Sequence, residues 1–463
     1  MTHRDKRIRA LSPVYFVHVY ETRTNQSLQK HYLMVKQSSS MDTHTKVVII
    51  GAGIFGLTTA YQLALEGYKN IVVLDRHVPP TPDASSNDIS RVIRFDYADG
   101  DYLDLAHEAY LEWSSSPRFK DCFSRAPIVV AGTSGANGAL YLQAAAAQLT
   151  KRSLPWTKLR DANAARKAFP SLKGPLAKTP FIGYFNENCG WADASKTLVQ
   201  LRDDCLSLGV SFICGPAGMV TSLDTDNGSR NIIAARTLAG DVVQGNFFIL
   251  AAGAWSSSLV SMYNSVLATG QVLGYMRLTD AEMQAYRNIP IYLNLSTGWF
   301  NFPPHDDTKL LKFAIHGWGY TRSTDIPRGG VQADGETRLR DGLRETYPEL
   351  ADRPFERTAV CWYSDTPSGD FIMDYHPDYT NLFVGGAGSG HAFKFTPVLG
   401  KYMSLAIKKK LPPAMRDKWR FRTEHLGKGI DVFKGDGSRG GPARRELCQD
   451  ERAELERGPR VKL

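Results

Sequence analysis

Gly51-Ala52-Gly53-Ile54-Phe55-Gly56 spaces three glycines as G-x-G-x-x-G, directly after the apolar run Val47–Ile50 and at the start of the helix-like segment Phe55–Glu66. Each glycine has its own physical task. Gly51 permits a tight turn, Gly53 lets the backbone come close to a pyrophosphate, and Gly56 lets helix and strand pack closely. The first helical turn, with Ile54 and Phe55, offers amides and a dipole that favour phosphate charge. Asp75, followed by Arg76, closes the next apolar run, where a carboxylate reaches a ribose hydroxyl. This is dinucleotide-binding chemistry, and the motif alone does not separate FAD from NAD.

Two later segments repeat the pattern of a strand running into small residues. Phe247-Phe248-Ile249-Leu250-Ala251-Ala252-Gly253-Ala254-Trp255 suits a strand that returns to the first sheet and ends beside the cofactor; an ordinary buried strand with a small-residue turn fits the same residues. Val384–Gly390 suits a strand delivering a second Gly-rich turn, with Gly388, Gly390 and His391. Backbone amides there can approach an electron-rich ring and stabilise negative charge on it.

The elements that must position these turns follow from hydrophobic patterning. Val47–Ile50, Ile71–Leu74 and Asn246–Ala251 are short apolar runs bounded by Gly or polar residues, predicting buried strands. Strand, helix and strand at this spacing make a βαβ unit and a parallel sheet. Residues 270–359 are instead dense in Tyr, Trp, Phe and Pro among polar residues, predicting an antiparallel sheet that forms one wall of a ligand site. The expected fold class is α/β (α+β), a Rossmann-like FAD-binding domain interleaved with an antiparallel-sheet substrate domain. Its expected segments are 46–135 (first FAD-binding part), 136–225 (interleaved parts of both domains), 226–269 (FAD-binding strand segment), 270–359 (substrate domain) and 360–426 (C-terminal FAD-binding part). Residues 1–45 are expected to be an extension and 427–463 a flexible tail.

Together these stretches resemble the family of monomeric sarcosine oxidase, L-pipecolate oxidase and the fungal fructosyl-amino-acid and saccharopine oxidases, FAD-dependent amine oxidases of the D-amino-acid-oxidase-like fold. The resemblance spans about Lys46 to Arg422. It is carried by the Gly51–Gly56 turn, Ser90-Arg91-Val92-Ile93-Arg94, Ala251–Trp255, Lys312–His316, Cys361-Trp362-Tyr363 and Gly390-His391-Ala392-Phe393-Lys394-Phe395.

The resemblance implies a role for each matching residue. Cys361 stands where the family forms a thioether to the flavin ring, although a cysteine considered alone is more often a small buried hydrophobe. Lys312 matches the lysine over the flavin that assists reaction with oxygen. A fixed cation in a low-dielectric site lowers the barrier to superoxide, while a solvent-facing strand lysine is the plain alternative. Arg94 and Lys394 match the pair that holds the substrate carboxylate. Arg91 matches an arginine close to the flavin, with a catalytic role in cofactor attachment, and Ser90 lies beside it. His316 and Tyr363 fall where the family lines the substrate cavity. His316 could tune the amine's protonation near neutral pH, with a packed core histidine as the alternative. His391 is expected to position the turn before Lys394. Two departures bear on the substrate: Phe300 replaces a substrate-contacting tyrosine, and Ser85-Ser86-Asn87-Asp88 replaces the His-His-Gly-Asp of the bacterial enzyme.

The implied reaction is FAD-dependent oxidation of a secondary amine or N-substituted amino acid with O2 as acceptor, giving an imine and hydrogen peroxide. Sarcosine, pipecolate, saccharopine, a fructosyl amino acid and a secondary-metabolite amine all stay open as substrates. A flavin dehydrogenase or tailoring oxidase using another acceptor is the alternative, and a non-catalytic dinucleotide- or nucleic-acid-binding protein is the reading from another class.

Charge weighs against the last. Residues 1–40 carry seven Lys and Arg against two acids, five of the net +9, so the body is nearly balanced and no nucleic-acid partner is expected. That basic, acid-poor stretch has the character of a mitochondrial-type presequence; the preferred expectation is that Met41 is the true initiator. The six cysteines show no C-x-x-C pair or zinc spacing, so no metal is expected, and free thiols in a reducing intracellular compartment are. No apolar stretch reaches the roughly 18 to 20 residues of a membrane span. The chain ends in Val461-Lys462-Leu463, two of three positions of a peroxisomal address, leaving cytoplasm or peroxisome. The expected partners are a small amine and O2, and the expected state is a monomer.

Overall fold

Val47–Ile50 is the central strand of a six-stranded sheet in which every residue of that strand is buried. In a computed structural model of the protein, residues 41–226, 228–322, 331–439 and 443–456 are described, and those from Thr43 onward form one compact unit. Phe247–Leu250 and Ile71–Asp75 flank the central strand in parallel, with Ile50 level with both Leu250 and Leu74. Ser211–Cys214 extends the sheet beyond Ile71–Asp75, and Leu382–Gly386 extends it beyond Phe247–Leu250, both in parallel. Only the edge strand Ile372–Tyr375 runs antiparallel. The three strand ends that carry small residues or an acid are therefore brought side by side at one edge of the sheet, where doubly wound folds bind nucleotides.

The helix Ile54–Leu65 starts at once after the first turn and is buried along most of its length. Its close packing needs two glycines. A Cβ on Gly56 would lie 1.9 Å from the Gly51 carbonyl oxygen, and Gly51 itself takes a φ of +108°, a conformation other residues adopt only with strain.

A second sheet of nine strands holds the aromatic part of the chain. Leu267–Arg277 pairs antiparallel with Leu310–Arg322 on one side and with Arg357–Asp365 on the other. Trp299–Asn301, Ile291–Asn294, Ile128–Thr133, Phe181–Asn186 and Thr157–Leu159 continue it; Ile291–Asn294 pairs in parallel with Ile128–Thr133, and Leu310–Arg322 pairs in parallel with Arg445–Glu446. This mixed architecture is the expected one. The sheet reaches outside residues 270–359 at both ends, because strands near 130, 158 and 183 join it and the boundary at 360 falls inside Arg357–Asp365. Its core packs Trp299, Phe313, Tyr320, Tyr347 and Leu339, all fully buried.

A small third sheet, Arg91–Ile93 with Gly190–Ala192 and Phe123–Arg125, fixes the segment that carries the two site arginines.

The tail departs from expectation. Low hydrophobicity and many glycines after Leu426 predict loose chain, yet the described part of it packs against the body. Arg445–Glu446 pairs with Leu310–Arg322, Leu447 is buried, and Arg439 reaches the buried Asp365 at 2.6 Å. Charge pairing in the interior, together with Leu447 in the apolar core, anchors this segment. The basic stretch 1–40 and the closing Val461-Lys462-Leu463 lie outside the described residues. All six cysteines are free thiols.

Candidate active site

A cavity of about 560 Å³ opens where the strand ends of the parallel sheet meet the second sheet, within the range of small-molecule and cofactor sites. Of the residues expected to touch a cofactor, Gly51, Gly53, Ile54 and Phe55 line it from the first turn, and Asp75 and Arg76 from the second strand. Ala252, Gly253 and Trp255 line it from the third strand, and Gly388, Gly390 and His391 from the fourth. Arg91 and Tyr363 complete its wall. Gly56, Ser90, Lys312, His316, Arg94, Lys394 and Cys361 are not part of this lining and stand behind it. Gly56 is there for packing, as its contact with Gly51 requires.

The cavity suits a dinucleotide on its own geometry. A helix N-terminus faces it, two Gly-rich turns leave backbone exposed along it, and a carboxylate sits at one side. Asp75 also latches the turn: one oxygen accepts from the Ala52 amide at 2.7 Å, the other from the His77 amide at 3.0 Å and the Thr81 hydroxyl at 2.9 Å. Ser86 meets the helix start, its hydroxyl accepting from the Ile54 amide at 3.1 Å. Arg76 stacks 3.8 Å from the Trp255 ring, tying the second strand end to the third.

Behind Arg91 lies a buried ionic cluster. Lys312 comes level with Tyr275 across the antiparallel register, and Cys361 comes level with Gln271 on the other side of the same strand. The Lys312 ammonium is 2.7 Å from Asp88 Oδ2 and donates to the Ser90 carbonyl at 2.6 Å. Arg91 Nη1 lies 2.6 Å from the same Asp88 oxygen, and the Tyr275 hydroxyl donates to Asp88 Oδ1 at 2.8 Å. The other Arg91 nitrogen is 3.9 Å from Cys361 Sγ. Lys312 is only 2% exposed, which excludes the solvent-facing alternative.

Burial dominates the titration of this cluster. It pushes Lys312 down to about 8, with Arg91 adding to the effect and Asp88 opposing it. It would raise Asp88, but Lys312 and Arg91 outweigh it and hold that carboxyl well below the usual range. Lysine and aspartate are therefore both charged at neutral pH. Burial also pushes the Cys361 thiol up, against the pull of Arg91 and Lys312.

A second group of cations converges on Tyr97. Lys394 donates to the Tyr97 hydroxyl at 2.8 Å and to the His391 carbonyl at 2.7 Å. Arg94 lies 5.2 Å from the Tyr97 ring and donates to the Asp96 carbonyl. The structure thus brings the expected carboxylate-binding pair together. Burial and the Arg94 charge push Lys394 well below its ordinary value. His391 spans Tyr97 at 3.0 Å and the Gly369 carbonyl at 2.8 Å, fixing the turn before Lys394.

His316 stands among the expected aromatic neighbours. Its ring stands 5.8 Å from that of Tyr363 and 6.3 Å from that of Phe300, in the expected wall. Burial first, then Arg439, Arg94 and Lys394, push it well below its ordinary value. This shift favours the neutral ring, which can donate or accept a hydrogen bond.

Several site residues had no individual signal in the sequence. Asp88 and Tyr275 organise the Lys312 cluster, Tyr97 joins Arg94 to Lys394, and Arg439 and Arg444 share the buried Asp365 at 2.6 and 3.2 Å. Arg439 also lies 5.5 Å from the Tyr363 ring.

Asp193, His305 and Asp307 present the one cluster with metal-ligand spacing among the described residues. The Lys196 ammonium sits 2.6 Å from Asp307 and 3.8 Å from Asp193, so a side-chain cation already serves these acids. No helix among the described residues is long and apolar enough to cross a membrane.

The chain matches the family model for FAD dependent oxidoreductases over residues 46–405. It is 30% identical to the L-saccharopine oxidase of Schizosaccharomyces pombe, over 82% of this chain and 93% of that protein. It is 26% identical to a monomeric sarcosine oxidase of a Bacillus species, over 79% and 93% of the two chains. The fructosamine oxidase Amadoriase II of Aspergillus fumigatus superposes with a TM-score of 0.79 at 28% identity, over 88% of this chain and 95% of that one.

Proposed function

The chain belongs to the FAD dependent oxidoreductase family, and on that premise we propose that it oxidises the secondary amine of an N-substituted amino acid with oxygen as acceptor. The observation that carries this is two separate buried cation groups that adjoin lining residues of one cavity, Lys394 through His391 and Lys312 through the Asp88 it shares with Arg91. Arg94 with Lys394 suits a carboxylate, and Lys312 suits oxygen.

FAD, when bound, supplies the two-electron acceptor; Gly51, Gly53, Asp75 and the Gly388–Gly390 turn would hold it. Arg94 and Lys394 would fix the substrate carboxylate, orienting its C–H bond. A carboxylate arriving beside Lys394 favours the charged ammonium, so binding draws a proton onto a lysine that burial otherwise discourages. His316, neutral, can face the amine without repelling it. The substrate gives up two electrons and two protons, oxygen takes them as hydrogen peroxide, and water splits the imine into carbonyl compound and amine. Lys312, charged below about pH 8, stabilises the negative charge that appears on oxygen.

Cys361 is assigned the thioether to the flavin ring. With FAD bound, Cys361 would supply the sulfur of that bond, and Arg91, 3.9 Å from the sulfur, would supply the neighbouring positive charge. In this scheme the parallel sheet carries the cofactor, the antiparallel sheet forms the substrate wall, and the protein works as a monomer.

Purified protein should be yellow and should release peroxide with at least one of sarcosine, pipecolate, saccharopine or a fructosyl amino acid. Turnover only with an artificial electron acceptor would favour a dehydrogenase, and protein without flavin would remove the proposal.

A further inference from the structure

The Asp88 side chain is buried to 2% exposure and meets Lys312, Arg91 and Tyr275 at once. One oxygen, Oδ2, serves both Lys312 at 2.7 Å and Arg91 at 2.6 Å, while Oδ1 accepts from the Tyr275 hydroxyl at 2.8 Å and from the Ile89 amide at 2.8 Å. We propose that Asp88 is the positioning residue that clamps Lys312 and Arg91 in their working places, coupling the oxygen-reactive lysine to the arginine beside Cys361. This rests on the role assigned above to Lys312.

The geometry leaves no other group for the task. Lys312 projects from Leu310–Arg322, Cys361 from Arg357–Asp365, and Arg91 from the small third sheet. These elements converge only where the loop before Arg91 inserts Asp88 between them. Among the described residues the other partners are backbone carbonyls, Ser90 for Lys312 and Ser85, Ser90 and Asn87 for Arg91, with the Phe302 ring beside Lys312 and the Cys361 sulfur beside Arg91, and none of them is a carboxylate. Without Asp88 two cations would face each other in a low-dielectric interior, and they would separate or one would lose its proton.

The charged groups around Lys312 set the sign of the effect. Asp88 and the Cys361 thiol favour its charge, while Arg91 opposes it. Tyr275 stands behind Asp88 with Arg357 3.8 Å from its ring, Tyr363 faces Arg91, and the Phe302 ring lies 4.7 Å from the ammonium. Asp88 is the one anionic carboxylate in this set, so its loss lowers the Lys312 pKa further.

The test compares wild type, Asp88→Asn, Asp88→Glu and Lys312→Met holoenzymes. Stopped-flow absorbance follows flavin reduction by substrate and reoxidation by oxygen separately, from pH 6 to 9 as an ordinary working range. A readout independent of turnover is the fraction of flavin retained after acid precipitation. In the wild type, reoxidation should fall as pH rises through about 8, where Lys312 loses its proton. In Asp88→Asn that limb should move to lower pH, with reoxidation at pH 7 slowed at least about tenfold. Reduction by substrate should change less than about threefold, and the acid-stable fraction should drop as Arg91 leaves Cys361. Asp88→Glu should recover most of both readouts. Wild-type reoxidation and wild-type acid-stable flavin in Asp88→Asn would overturn the proposal. If Asp88→Asn does not fold, Asp88→Ser, which also removes the charge, takes its place, and wild-type reoxidation with wild-type acid-stable flavin in that variant would overturn the claim. Normal reoxidation in Lys312→Met would instead remove the underlying role of Lys312.

Discussion

The Lys394 ammonium donates to the Tyr97 hydroxyl at 2.8 Å, and that oxygen also lies 3.0 Å from His391 Nδ1. Tyr97 is thereby the joint between the two cations assigned to the substrate carboxylate, because its ring also sits 5.2 Å from Arg94. A phenol that only fills space would be replaceable; one that orients an ammonium is not.

Tyr97→Phe keeps the ring and removes that acceptor. A hydrogen bond to a charged group contributes about 1.5 to 3 kcal/mol, so KM for a carboxylate substrate should rise about tenfold or more. The turnover number should change much less, since the reacting C–H is not touched. Steady-state kinetics with a matched amine lacking the carboxylate provides the check: its KM should be nearly the same in both proteins.

Gly56→Ala should fail to hold the cofactor. The new methyl would lie 1.9 Å from the Gly51 carbonyl oxygen, so the turn must open or the helix must shift. Overpacking of this kind costs about 1 to 3 kcal/mol. The expected outcome is protein with a lowered melting temperature and little or no bound flavin by absorbance.

How far the sequence disclosed this site depends on the range over which its signals act. The Gly51–Gly56 turn, the flanking strands and Asp75 are local patterns, and the structure places them as the patterning predicts, within a residue or so. Asp88 could not be weighed in the same way, because its meaning lies in Lys312, 224 positions on, and in Tyr275 on the neighbouring strand. The neutral state of His316 depends on cations from three separate parts of the chain. The tail misled for a related reason: composition measures apolar burial, whereas Arg439 is held by a buried acid 74 residues away.

That ion pair makes a pH prediction. Burial alone would raise the Asp365 carboxyl, but Arg439 and then Arg444 outweigh it and hold it below its usual value. A depressed carboxyl stabilises the fold above its unfolded pKa and loses that contribution as pH falls through the folded value. Arg439→Gln should therefore destabilise the protein at pH 7, by up to about 3 to 5 kcal/mol for a broken buried pair. The gap to wild type should begin to narrow as pH falls below about 4, where the unfolded chain takes up the proton, and close as pH falls through the depressed folded value. Urea melts at pH 7 and pH 3.5 would show it, and a gap that does not depend on pH would mean that Arg439 acts through packing alone.

Cys361→Ala separates what holds the cofactor from what bonds it. Cys361 lies outside the lining of the main cavity, whereas the Gly51–Gly56 turn, Asp75 and the Gly388–Gly390 turn contribute to that lining. Loss of the thiol removes no phosphate or ribose contact, so the variant should fold, bind FAD and remain yellow. Acid precipitation should then release all of its flavin into the supernatant, whereas wild type should keep flavin in the pellet. Arg91 bears on the same bond, since its guanidinium lies 3.9 Å from the sulfur. Arg91→Gln should therefore reduce the acid-stable fraction without abolishing FAD binding, and Arg91→Lys should restore part of it by returning the charge without the fork. Acid-stable flavin in Cys361→Ala would show that another residue forms the bond.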